Sequence, residues 1–128
     1  MPNELNIALV QSDIIWQNTS ENLHHLDKLL SSVKDSNLII LPEMFNTGFS
    51  MNPEQISMPE NGGEVVEWMI RKAKDSSAAI IGSVAVKEEE GFYNRLYFVQ
   101  PNGEITFYNK RHLFRMAGEN AQFLNGDD

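Results

Sequence analysis

Residues 38–43 read Leu38-Ile39-Ile40-Leu41-Pro42-Glu43. Four consecutive apolar residues, stopped by a proline that has no backbone donor, read as a short buried strand with a carboxylate at its carboxyl end. Upstream, Asn18 has the chemistry of a helix N-cap, with Glu21 three positions on as in a capping box. Leu23, Leu26, Leu30 and Val33 then recur at the spacing of one helical face. Before that lies Leu5-Asn6-Ile7-Ala8-Leu9-Val10, which reads as a buried first strand of the kind found centrally in a sheet. Strand, helix and strand with short joins predict a βαβ unit, two parallel strands linked by a right-handed crossover.

Downstream, residues 44–60 show no period, and so long a loop suggests function or a short helix. Gly62-Gly63 opens a second helix carrying Val65, Val66, Trp68, Met69, Ile70 and Ala73. Its cations Arg71, Lys72 and Lys74 fall near the end that favours them. A third strand is expected over 78–84, a polar turn at Glu88-Glu89-Glu90-Gly91, and a fourth, aromatic strand over 92–99. Pro101-Asn102-Gly103 is strong turn chemistry, so 104–109 completes a hairpin. The fold class is α/β, with two helices for five strands. One face of the sheet is therefore expected to be bare and apolar.

Composition narrows the function. The chain has 128 residues, 10 basic against 18 acidic side chains, a net charge of −8 and no cysteine. Within these residues there is no disulfide, no cysteine-based zinc site and no thiol nucleophile. Scattered basic residues on an acidic chain exclude a phosphate-backbone partner, so no nucleic acid is expected. No segment approaches the ~18 apolar residues of a membrane span, and no leader pattern is visible, so a cytoplasmic setting is expected. The glycine-rich nucleotide motifs and the serine nucleophile elbow are absent. His24 and His25 are neighbours on a helix and point apart, and His112 stands alone, so no metal is expected.

Position singles out a few polar residues. Glu43 sits where open α/β sheets bind ligands, and partial desolvation there would raise its pKa toward that of a working base. The alternative is a solvated loop glutamate. Lys110, after the strand ending at Asn109, is either a solvated strand end or a catalytic cation. Glu119, in a glycine-containing loop, reads most simply as a surface charge. A Glu/Lys pair can take a proton from a nucleophile and stabilise an oxyanion, and the missing part is the nucleophile.

Two motifs carry a resemblance. Leu41-Pro42-Glu43-Met44-Phe45-Asn46-Thr47-Gly48-Phe49 resembles the glutamate motif of the nitrilase (carbon–nitrogen hydrolase) superfamily. Tyr108-Asn109-Lys110-Arg111-His112-Leu113-Phe114 resembles its lysine motif. The Asn94 hairpin and the Pro101-Asn102-Gly103 turn are similar to the segment preceding that lysine. The run Lys110 to Glu119 is most similar to the omega-amidase branch. The resemblance implies the N-terminal half of an α-β-β-α four-layer sandwich, with residues 1–128 as the N-terminal portion of a single hydrolase domain. It implies a Glu-Lys-Cys triad working through a thioester, with Glu43 as base, Lys110 as oxyanion stabiliser and Glu119 orienting them, and no cofactor.

The implied substrate is a small carboxylate-bearing amide such as 2-oxoglutaramate. Arg115 and Arg111 are the candidates to hold its carboxylate, and Phe49 is a further substrate-binding candidate. The chain departs from the family in having no cysteine. Only 18 residues follow Lys110, fewer than separate the family's lysine and cysteine motifs, and family chains are roughly double this length. The expectation is a piece that lacks its C-terminal half and is inactive alone, from a protein that forms homo-oligomers. Two alternatives remain: another nitrilase branch (carbamoylase or nitrilase), or a non-catalytic half-fold interaction module.

Overall fold

The computed structural model describes residues 3–127. Its elements are β1 (Ile7–Leu9), α1 (Thr19–Leu30), β2 (Leu38–Ile40), α2 (Pro53–Ile56), β3 (Met58–Pro59), α3 (Gly63–Ser76), β4 (Ala79–Glu88), β5 (Gly91–Val99), β6 (Ile105–Asn109), a 3₁₀ turn (Arg115–Ala117) and α4 (Glu119–Gln122). The sheet runs β1-β2-β4-β5-β6, with β3 paired to β4. β1, β2 and β4 are parallel, as the βαβ reading requires. β4, β5 and β6 form an antiparallel meander.

Helices α1 and α3 cover one face. Asn18 caps α1 by accepting from the Glu21 N–H at 3.1 Å. Leu26 and Leu30 point into a core shared with Val65, Trp68, Met69 and Ala73 of α3 and with Ile39, Ile80, Val84, Tyr97 and Val99 of the sheet. Asp27 ties the helices together, accepting from Trp68 Nε1 at 2.8 Å and pairing with Lys72 at 2.7 Å. Gly82 is required by close approach, because a Cβ there would lie 2.7 Å from the Phe45 ring.

The other face is apolar and is not covered by α1 or α3; only at its far end do Ile56 of α2 and Phe123, after α4, pack on Ala85 of β4. The register aligns Leu9, Ile40, Ile81, Phe98 and Thr106 in one row across five strands. A second row brings Ser83, Leu96 and Tyr108 together.

Several expectations need correction. β1 is an edge strand, not a buried one, with Ile7 49% and Leu9 76% exposed. Its apolar side chains belong to the uncovered face, and only Ala8 packs on the helical side. β4 is longer than predicted and takes in Glu88, which pairs with Gly91 of β5 and is held by an ion pair to Arg95 at 2.6 Å. The turn shrinks to Glu89-Glu90. The sheet has six strands, not five, because Met58–Pro59 adds a two-residue pairing on β4. The long loop does carry a short helix, α2, with Pro53 at its start.

Candidate active site

Strand β2 continues to Leu41, whose N–H donates to Ile81 O at 2.8 Å, and delivers Glu43 just beyond the sheet edge. Met44, next in the chain, adopts a left-handed backbone with φ +50° and is fully buried. Such a conformation costs a non-glycine residue about 1–2 kcal/mol. It is held because the Met44 N–H donates to Ser83 Oγ at 2.8 Å, and because Thr47 and Gly48 donate back to the Met44 carbonyl. The loop is pinned on its far side by Asn22 of α1, which donates to Asn46 O at 2.8 Å and to Ile15 O at 2.7 Å.

Lys110 follows β6, and its N–H donates to Asn94 O at 2.8 Å. Its ammonium meets Glu43 Oε2 at 2.7 Å and Glu119 Oε1 at 3.0 Å. Glu119 opens α4 after Gly118, whose φ of +82° suits glycine and turns the chain inward. Its carboxylate is 0% exposed and also accepts from the Phe114 N–H at 2.6 Å and Asn94 Nδ2 at 3.1 Å. Glu119 is therefore not a surface charge. Its place in a glycine-containing loop suggested exposure, but the tertiary fold closes over it.

The electrostatics follow from this geometry. Burial alone would raise the Glu119 pKa, but the donated hydrogen bonds from Phe114 and Asn94 and the Lys110 charge outweigh it and hold it below the usual carboxylate range. Burial alone would lower Lys110, but Glu43 and Glu119 outweigh it and hold it above the ordinary lysine value. Lys110 is thus a persistent cation, suited to stabilising negative charge and not to taking protons. Glu43 is 46% exposed, so the expected desolvation of its carboxyl is not supplied by these residues.

Leu41, Glu43, Ser83, Asn94, Leu96, Tyr108 and Lys110 line a hollow of about 280 Å³ on the uncovered face. Apolar walls with one base and one cation at the rim can take a small polar molecule with an apolar body. Phe49 lies beside it, its ring 5.3 Å from Lys110 Nζ and in edge contact with Phe114. Arg111 and Arg115 do not line the hollow. Both are exposed and neither forms an ion pair among the described residues. Among the described residues no group of three or more His, Cys, Asp or Glu is placed to hold a metal ion. No helix among them is long and apolar enough to cross a membrane.

Sequence reasoning missed the parts played by Asn94 and Ser83. Both are polar residues inside apolar strands, Asn94 within Phe92-Tyr93-Asn94-Arg95-Leu96-Tyr97, and both face the side away from α1 and α3. A polar residue on a face otherwise apolar was the available signal.

Known proteins share this arrangement of sequence. Omega-amidase YafV of Yersinia enterocolitica is 44% identical over 124 residues, covering 97% of this chain and 48% of the relative. Omega-amidase YafV of Escherichia coli K12 is 42% identical over 123 residues, covering 96% and 47%. The crystal structure of a CN-hydrolase superfamily protein from Xanthomonas campestris superposes with a TM-score of 0.91 at 36% identity, over 97% of this chain and 47% of that one. The chain spans about half the length of the curated relatives it matches. The carbon-nitrogen hydrolase family model matches residues 6–125, a span that includes Glu43, Lys110 and Glu119 and the strands that carry them, and the chain belongs to that family.

Proposed function

We propose that these residues supply the base and the cation of an amide hydrolase of the omega-amidase type. The observation that carries the reading is the convergence of Glu43 and Lys110, 67 positions apart, at 2.7 Å on the rim of an apolar hollow, with buried Glu119 on the same ammonium. Similarity to omega-amidases supports amide hydrolysis, and the substrate of this reading is a small carboxylate-bearing amide such as 2-oxoglutaramate.

In this reading a cysteine from outside the 128 residues, in the C-terminal half of the same domain, is the nucleophile. Glu43 takes the thiol proton and the thiolate attacks the amide carbon. Lys110 stabilises the oxyanion that forms. Glu43 returns the proton to the nitrogen, ammonia leaves and a thioester remains. Water, deprotonated by Glu43, then hydrolyses the thioester to a carboxylate and restores the thiol. Glu119 holds Lys110 in place. Phe49 packs beside the ammonium and borders the substrate. An arginine, Arg115 or Arg111, would reach the substrate carboxylate only if the covering half draws it to the hollow. The reading places the protein in the cytoplasm as a homo-oligomer, with a small-molecule amide as its partner and neither nucleic acid nor membrane.

The test is ammonia release from 2-oxoglutaramate and from glutamine. The 128-residue chain should release none. The chain fused to the C-terminal half of the Yersinia enterocolitica omega-amidase should release it from 2-oxoglutaramate, and Glu43→Gln or Lys110→Met should abolish it. A folded fusion without turnover, or one indifferent to both substitutions, would overturn the proposal.

A further inference from the structure

Asn94 touches all three charged residues of the site. It lies mid-strand in β5, is 1% exposed, and is paired in register with Ala85, whose small side chain leaves it room. Its Nδ2 donates to Glu43 Oε2 at 2.8 Å and to Glu119 Oε2 at 3.1 Å. Its backbone carbonyl accepts from the Lys110 N–H at 2.8 Å. The three partners lie 51, 25 and 16 positions away in the sequence.

The chemistry explains why an amide stands there. Two carboxylates share one ammonium, so the cluster of Glu43, Glu119 and Lys110 carries a surplus negative charge. A neutral group with two N–H donors serves both anions without adding charge. A carboxylate at this position would add a third anion, and an alkyl group would leave both oxygens short of a donor. Both donors being spent on carboxylates also fixes which way the amide faces.

Glu43 is left asymmetric. Its Oε2 accepts from both Lys110 and Asn94, while Oε1 has no hydrogen bond among the described residues. We propose that Asn94 is a positioning residue that spaces the two carboxylates around Lys110 and leaves Glu43 Oε1 as the oxygen that takes the proton from the nucleophile. The catalytic part rests on the amidase reading above. The bridge itself does not.

NMR titration of the protein labelled with ¹⁵N and with ¹³C at glutamate carboxyls tests the bridge. In the unaltered protein the Asn94 side-chain amide resonances should move as the carboxylates protonate, and their protons should exchange slowly. In Asn94→Ala and in the shape-matched Asn94→Asp, the Glu119 midpoint should shift upward while the β5 backbone signals stay in place. Asn94 amide resonances that stay constant through the acid titration would overturn the proposal. So would an unchanged Glu119 midpoint in a folded Asn94→Ala protein. If both variants lose the fold, the titration of the unaltered protein decides alone. None of this needs turnover, so a fusion enzyme that releases no ammonia while the amide titrates as expected removes the amidase reading and leaves the bridge standing.

Discussion

Removing the lysine should destabilise the protein in a way that depends on pH, because it strands a buried carboxylate. Lys110→Met keeps most of the length of the side chain and deletes the charge. The contact with half-exposed Glu43 is worth about 0.5 kcal/mol, as surface ion pairs are. The contact with Glu119 differs, because that carboxylate has no exposed surface. At 3.0 Å and an effective dielectric near 20, the attraction is about 5 kcal/mol before desolvation is charged against it. Breaking a buried pair from one side costs about 3–5 kcal/mol in general. Here Glu119 keeps its bonds from Phe114 and Asn94, and the Lys110 side chain is 29% exposed, so the loss at pH 7 should be about 2–3 kcal/mol.

The sign with pH follows from Glu119. Its folded pKa is depressed, so its contribution is present above the unfolded carboxylate value and is lost as pH falls through the folded value. In Lys110→Met the stranded carboxylate can escape its penalty by taking a proton, so the difference from the unaltered protein should shrink between pH 7 and pH 4. Urea unfolding followed by the fluorescence of buried Trp68 measures this. A double-mutant cycle with Glu119→Gln isolates the pair, and Lys110→Met should cost much less when Glu119→Gln is already in place. Equal losses at both pH values, or a cycle that closes near zero, would refute the reasoning.

Other outcomes rest on separate contacts. Ser83→Ala should cost about 1–3 kcal/mol, because the buried Met44 N–H loses its acceptor, and urea midpoints should show it. Arg95→Met should cost about 2–4 kcal/mol by leaving its part-buried partners Glu88 and Asn109 unpaired, read by thermal unfolding. Gly82→Ala should cost about 1–3 kcal/mol through overpacking against Phe45, with circular dichroism unchanged at low temperature. The uncovered face should bind a hydrophobic dye, and Leu9→Lys should reduce that fluorescence without loss of secondary structure.

Much of the scaffold was readable from local pattern. The 3.6-residue period located α1 and α3, Asn18 marked a helix start, and Pro101-Asn102-Gly103 marked the last hairpin, because each is dictated by neighbours in the chain. The exposure of β1 was not readable. Leu9 and Ile80 are alike as apolar strand residues, and only the position of the helices makes one exposed and the other buried. The full length of β4 was missed because Glu88 looks like the start of a polar turn, while the partner strand β5 and the Arg95 ion pair keep it in the sheet.

By itself the sequence determined the α/β class, the family, and the prominence of Glu43 and Lys110, since motifs and short-range periods survive without coordinates. Only the tertiary structure decided that Glu119 is a buried partner and not a surface charge, that Arg111 and Arg115 stand away from the hollow, and that Asn94 joins three distant segments. The physical reason is one of range. Helix caps, turns and strand ends are set by interactions a few residues apart. The site is set mostly by hydrogen bonds and ion pairs between segments far apart in the chain, up to 67 positions, which exist only once the sheet brings them together.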